Sequence, residues 1–474
     1  MGALAQQVVG SFTEEAARNI SKSLKEPDWL TRFRLHAYKS YRSLPLEKSS
    51  LYTKYTHVSK FDETQFPLNP EKESIGFRTF FKDHHSGKER NILLQGNESE
   101  IHAELDDSLA SRGVKLMTLH EAISSHEDFI KKVFEKKLVT SDSDKYAAFT
   151  NAFFNSGTFV HVPRDVVVDA PLRKMLLTAE PKNSIICQTI IYAEEGSKLV
   201  FLEELYSKDN TVASLVASLV EVYAGAGAVV DFSSIQLLDE HSVYLTNKTA
   251  SALNDSKVTV SGLFLGSEIT RSRMNFQMNG RGDHVEGFEI FFTNSKQRFD
   301  FESNLLHNAP DSTGSTQARG ALKDESQSIF KGMIKIVDTA KNSRSYLAHH
   351  AMILDRRAKS DGVPSLEIDT NEVKATHSAS VAQIDPEQIF YLNARGLGED
   401  EAKKMIVLGF FEPVLSRIPI EQTREGARFI IEGKWQGEKR RMIDRETLIA
   451  LTGEAVPEIK QAEDIFERHY KYRK

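Results

Sequence analysis

Few residues in this chain combine the type and the spacing that chemistry needs. One cysteine, Cys187, sits in the apolar run Ile185-Ile186-Cys187-Gln188-Thr189. An internal disulfide or a thiolate-only metal cage therefore cannot come from this chain alone. The apolar setting predicts a buried, inert thiol, although a dimer would bring two of them. The adjacent pairs His84-His85 and His349-His350 are poor chelates, because neighbours on a strand point to opposite faces. No G-x-x-x-x-G-K-[ST] run is present, so nucleotide hydrolysis would need a separate polypeptide. Arg281-Gly282-Asp283 is a chance match to an adhesion tripeptide.

The elements that must position these residues fall into three textures. Residues 1 to about 145 are mainly helical in pattern. Ser11 with Glu14 has capping-box spacing, Trp29, Phe33, Ala37 and Tyr41 recur at steps of four, and Pro45 ends that helix. A further helical pattern runs from Leu119 to about Leu138, after a polar, extended stretch over Ser49–Glu100. From about 146 to 384 the chain is a succession of short β-rich runs, such as Ile185–Ala193, Val229–Leu237 and Phe288–Thr293. Gly, Asn, Asp and Ser punctuate them. Such an array means a sandwich, a propeller or a β-solenoid, and no strict period chooses among the three. Ser214–Ala224 reads equally as helix or strand. From 385 to 474 the pattern returns to helix, with Ala402, Met405, Ile406 and Gly409 on one face, a helix over Ile420–Glu432, and a tail of mixed charge after Trp435.

The chain has 474 residues and a formal net charge of −6. At roughly 100–200 residues per domain that is two to four domains. The slight acidic excess argues against a non-specific nucleic-acid binder. No apolar run approaches the ~18 residues of a membrane span. Met1–Gly10 lacks the basic and apolar regions of a secretory signal, which makes the cytoplasm the expected location.

One segment is more specific. Leu366–Gly396 reads LEIDTNEVKATHSASVAQIDPEQIFYLNARG. It resembles the C-terminal signature of the SufB/SufD family of iron–sulfur cluster assembly proteins, an LEI followed by DDVKC-x-HGA and then D-x-E-x-x-FYL-x-x-RG. Collinear matches precede it: Glu26-Pro27-Asp28-Trp29-Leu30, Asn155–Pro163, Ala193-Glu194-Glu195-Gly196, His307 before Pro310, and Ile329-Phe330-Lys331-Gly332.

The resemblance implies a mainly β chain. A right-handed parallel β-helix (β-solenoid) core over 146–384 would be flanked by N-terminal and C-terminal α-helical regions, 1–145 and 385–474, with the helices capping the solenoid. It also implies partners: a SufB-like subunit or an identical one, paired through the β-helix, and a SufC-like ABC ATPase bound by helices at about 398–432. The cargo is a transient iron–sulfur cluster at the shared interface. ATP would act only through the ATPase, and a cysteine desulfurase would deliver sulfur to the partner. His377 occupies the family's histidine position, with Ala375 and Ser378 where the motif has Cys and Gly. Glu421 matches a family glutamate. Both are candidate cluster ligands. Glu203, His307, Arg395 and Gly396 match other family positions, and Cys187 is the remaining thiol. The SufB-type cysteine positions hold Leu392 and Leu205. Leucine offers neither the soft ligand nor the sulfur acceptor that iron–sulfur chemistry favours, so the resemblance is to the SufD branch. Two other readings stay open. One is an ATPase-binding module without cluster chemistry. The other is a β-helix polysaccharide lyase, which would need carboxylates clustered on one strand face, whereas Glu194, Glu195, Asp255 and Asp283 fall in turns.

Overall fold

The computed structural model describes residues 12–47, 62–68, 91–96, 99–178, 182–207, 213–417 and 421–436. Ser11, His84-His85, most of the stretch 49–90 and the tail beyond 436 lie outside it. Sixteen strands, from Ser156–Val162 to Lys374–Gln383, alternate between two sheets, each strand hydrogen-bonding to the strand two places on in parallel register. The result is a parallel β-solenoid of about eight turns. Ser214–Ala224 is one of its strands, and ten of its eleven residues are buried. Strands covered on both faces read as unbroken apolar runs, which is why this segment resisted assignment from pattern alone.

The repeat lies in the corners. Asp165, Gly196, Gly227, Asp255, Gly282, Asp311 and Asn342 all have φ between 58° and 77°. The N–H of each donates to a carbonyl one turn on, from Asp165 to Glu195 O (2.9 Å) through to Asn342 to Glu372 O (2.7 Å). Gly, Asp and Asn are the residues that accept this left-handed backbone at low cost. The interval between corners runs from 27 residues (Asp255 to Gly282) to 31 (Asp165 to Gly196), so no strict period shows in the sequence.

The helices cover faces rather than ends. Glu14–Ser23 and Asp28–Ser43 pack with Lys145–Phe153 on the outside of the nine-stranded sheet, through a cluster that includes Leu30, Tyr41, Phe149, Ile186, Ile190 and Leu245. Thr13 caps the first helix, accepting from the Ala16 N–H at 3.1 Å, in place of the expected Ser11. The helical pattern at 119–138 is two helices, Leu119–Ser125 and Glu127–Glu135, broken at His126. Buried Arg34 is held by Glu26 (2.5 and 2.7 Å) and lies over the Phe154 ring. On the other side, Glu399–Leu415 and Glu421–Trp435 cover the ten-stranded sheet through Val407, Phe411, Ile430 and Trp435.

The solenoid's first end is closed by strands that the sequence reading did not anticipate. The hairpin Ile92–Gly96/Ser99–Glu104 extends one sheet and Lys115–Thr118 pairs antiparallel with Ser156–Val162 in the other. The expectation that the C-terminal helices cap the other end is not met. Lys359–Ile368 and Lys374–Gln383 end the two sheets, they are largely exposed, and Pro386–Ala394 beyond them buries no residue.

Two glycines separate packing from backbone effects. A Cβ on Gly320 would meet the Phe291 ring at 2.0 Å, whereas one on Gly227 (φ 65°) would touch nothing within 4 Å. Gly320→Ala should lower the unfolding free energy by about 1–3 kcal/mol through overpacking, and Gly227→Ala by about 1–2 kcal/mol through backbone strain alone. Urea denaturation of both variants checks this, and an unchanged midpoint in Gly320→Ala would contradict the packing account.

Candidate functional site

Among the described residues no strand follows the last turn, and there the family-matched His377 becomes chemically accessible. His377 lies on Lys374–Gln383, in register with Leu347 of the preceding strand in its sheet. Leu347 is fully buried in the lumen cluster, and the same register column runs back through Thr316, Gly287 and Val260. His377 is thus the last member of a lumen-facing column, and it is exposed. On the last two strands and the helix that follows, Leu366, Ile368, Val381, Phe390 and Tyr391 are also exposed. Unpaired strand edges bearing apolar groups are a template for pairing with another chain. Among the described residues no group of three or more His, Cys, Asp and Glu converges as a metal cage.

Glu421 is the exposed first residue of Glu421–Trp435, an element separate from the His377 strand. Lys434 Nζ ties that helix to the solenoid, donating to Phe292 O in the ten-stranded sheet, to Leu265 O (2.6 Å) and to Gln297 Oε1 (2.9 Å), while Trp435 Nε1 donates to Asp400 Oδ2 (3.1 Å) of the neighbouring helix Glu399–Leu415. Arg319 similarly donates from its sheet strand to Phe410 O (2.7 Å) in Glu399–Leu415. Met405 and Phe429 point away and are exposed. Arg395 follows Pro386–Ala394, its guanidinium 5.1 Å from the Tyr391 ring centroid, and Gly396 (φ 96°) makes the turn that ends the helix. The two matched residues thus have a structural role in closing that helix.

The remaining matched residues are buried. His307 is held between Ser312 Oγ (2.8 Å) and Ser345 Oγ (2.9 Å), and burial pushes its imidazole down to about 4. Glu203 stands in the lumen, 2.9 Å from Lys174 Nζ. Lys174 also donates to Thr189 Oγ1 (2.9 Å), with Cys187 Sγ at 3.9 Å. Burial pushes the Cys187 thiol up, so it is a poor nucleophile. Burial opposes the charge on Lys174, but the Glu203 carboxylate beside it holds its ammonium above the usual range.

Two lumen residues, Lys248 and Glu289, carry no motif in the sequence, and a third, His349, stands there only as half of a poor chelating pair. Burial pushes Lys248 down to about 8 and Glu289 up to about 7; Glu289 accepts from Ser272 at 2.8 Å. His349 is wholly buried. Each interrupts an apolar column at spacing two, as in Leu347, His349, Ala351. That interruption is the signal that could have found them.

Comparison with known proteins agrees with this architecture. Residues 176–410 match the family described as the SufBD core domain of the SUF iron–sulfur cluster assembly system, and residues 5–173 match the SufBD protein N-terminal region. The chain belongs to the SufB/SufD family. Its relatives include the iron–sulfur cluster assembly protein SufD of Bacillus subtilis, 26% identical over 430 residues, covering 90% of this chain and 98% of the relative. SufBD family proteins of Staphylococcus haemolyticus and Staphylococcus aureus are each 28% identical over 434 residues, covering 88% of this chain and 92% of theirs. Within the family this SufBD chain is SufD-like: Leu205 fills the lumen and Leu392 lies in the helix Pro386–Ala394. No described helix is long and apolar enough to cross a membrane.

The buried His307 makes acid stability a test of its setting. An unfolded imidazole titrates near 6.5 and the folded one near 4, so the unfolded chain binds the proton more readily between those values. The His307 contribution is whole above pH 6.5 and lost as the pH falls toward 4. The urea midpoint should drop across that window, with a shallower drop in His307→Asn. Identical slopes would assign the acid sensitivity to other groups.

Proposed function

We propose that this chain is a non-catalytic scaffold subunit of iron–sulfur cluster assembly, acting in the cytoplasm on a cluster that is its cargo. The observation that carries the reading is His377, exposed at the end of a lumen-facing column on a strand that, among the described residues, ends its sheet. A SufB-like subunit, or a second copy, pairs with that open end. Pairing satisfies the free strand edges, covers the apolar residues and closes a site to which each chain brings only part of the ligands. Neutral imidazole is a competent iron ligand, so His377 is this chain's first contribution and Glu421 a candidate second. Sulfur enters on the partner, from a cysteine desulfurase, because the one thiol here is buried. Neither nucleic acid nor membrane takes part.

A SufC-like ABC ATPase docks on the outer face of Glu399–Leu415 and Glu421–Trp435. Their inner face is fastened to the ten-stranded sheet, and the last strand of that sheet carries His377. Closure of two ATPase subunits on ATP would therefore load the sheet and shift the paired solenoid ends. ATP drives this only to the extent that it favours the closed pair.

Two outcomes follow. His377→Ala should abolish iron and acid-labile sulfide in the anaerobically reconstituted complex while the complex still elutes intact. Normal cluster content would leave the chain as an ATPase-binding module without cluster chemistry. Met405→Glu with Phe429→Glu should stop co-purification of the ATPase without lowering the melting temperature, since both side chains are exposed; retained co-purification would move the docking surface elsewhere.

A further inference from the structure

His349 is a histidine without a structural explanation. Its partner in sequence, His350, points outward and shares a hydrogen bond with Ser380 Oγ at 2.7 Å. His349 points into the lumen, is 0% exposed, and among the described residues neither ring nitrogen has a hydrogen-bond partner. Buried polar groups are almost always paired, and an unpaired one costs about 1–3 kcal/mol. The contrast with His307, buried to the same degree but held by two serines, is direct.

The ring's orientation is set. It stacks on Phe330 with centroids 4.9 Å apart and planes 2° from parallel. Its Nδ1 faces the last turn, where a Cβ on Gly362 would lie 2.9 Å from it. In register, His349 pairs with Ala379 and Leu347 with His377. The two histidines therefore share the lumen side of adjacent strands, offset by two residues, a diagonal within reach of long side chains. Gly362 and Ala379, two of the smallest residues, stand in the last turn beside His349, and each of the two strands carrying them ends its sheet among the described residues.

We propose that His349 and His377 together bind one divalent transition-metal ion at the mouth of the solenoid, His349 being a ligand that the cluster-site reading above does not include. The inference rests on that reading for His377. Two imidazoles suit ferrous iron, cobalt or zinc and leave a tetrahedral ion two ligands short, which fits a site completed by the paired chain. Among the described residues the last turn is hydrogen-bonded on one side only, and a small displacement of it would uncover Nδ1. The Phe330 stack keeps the ring aimed while the turn moves.

The test is anaerobic titration of the full chain with Co2+, followed by calorimetry and by the ligand-field absorption. Wild type should show one site that weakens about tenfold or more in both His377→Ala and His349→Phe. Phenylalanine keeps the ring on Phe330 while removing both nitrogens. Gly362→Ala retains His349 but sets a methyl group against Nδ1, and it should weaken the site likewise; circular dichroism and melting identify any variant that misfolds, and Gly362→Ala then decides. Loss in His377→Ala with unchanged affinity in His349→Phe and Gly362→Ala would overturn the role of His349 and leave the His377 reading standing. No His377-dependent Co2+ site in wild type would overturn the two-histidine site, and the cluster content of the reconstituted complex would judge His377 separately.

Discussion

The structure depends on one requirement: every strand of a parallel sheet must find partners for its backbone N–H and C=O groups on both edges. A solenoid meets it by letting each turn satisfy the one before, with successive corners tied by hydrogen bonds such as Gly227 N–H to Asn254 O. The ladder has two ends, and this chain treats them differently. The first is closed by strands from the N-terminal region, a hairpin added in parallel to one sheet and an antiparallel strand added to the other. The second, among the described residues, has no strand beyond Lys359–Ile368 and Lys374–Gln383. An unsatisfied edge this long is an aggregation hazard unless another chain occupies it, so the position of the open end and the position of His377 are one fact seen twice.

Covering the two outer faces has a separate consequence. The N-terminal helices occupy the outside of one sheet and the C-terminal helices the outside of the other, which makes most strands apolar on both sides. Close-packed layers transmit displacement rather than absorb it. Lys434 and Arg319 add hydrogen bonds between the C-terminal helices and sheet carbonyls or, for Arg319, from sheet to helix. A force on those helices is thereby delivered to the ten-stranded sheet rather than to a flexible linker.

The lumen is less apolar than a structural core requires. Lys174 with Glu203 is a buried ion pair, and such pairs are weak evidence for stability because desolvation offsets the Coulomb gain. Lys248 lies over the Phe264 ring with no carboxylate bound to it. Retaining charge along the axis of the solenoid lowers stability that apolar residues would supply, and His349 belongs to the same set of interior polar groups.

Much was determined by the sequence itself. The motif around His377, the Leu205 and Leu392 positions and the alternation of short apolar runs with Gly, Asn, Asp and Ser corners placed the chain in its family and its β-solenoid class, because turn chemistry and local motifs are local properties. The helix Lys145–Phe153, the strands at 92–104 and the pairing of Ser214–Ala224 were not legible, because their character is decided by what covers them. Only the tertiary structure decided which end stays open, since capping by helices and coverage of faces by helices leave the same helical pattern. It alone also turned His349 inward beside His377, because strand register across a corner of variable length is set by the hydrogen-bond ladder and not by the residues between.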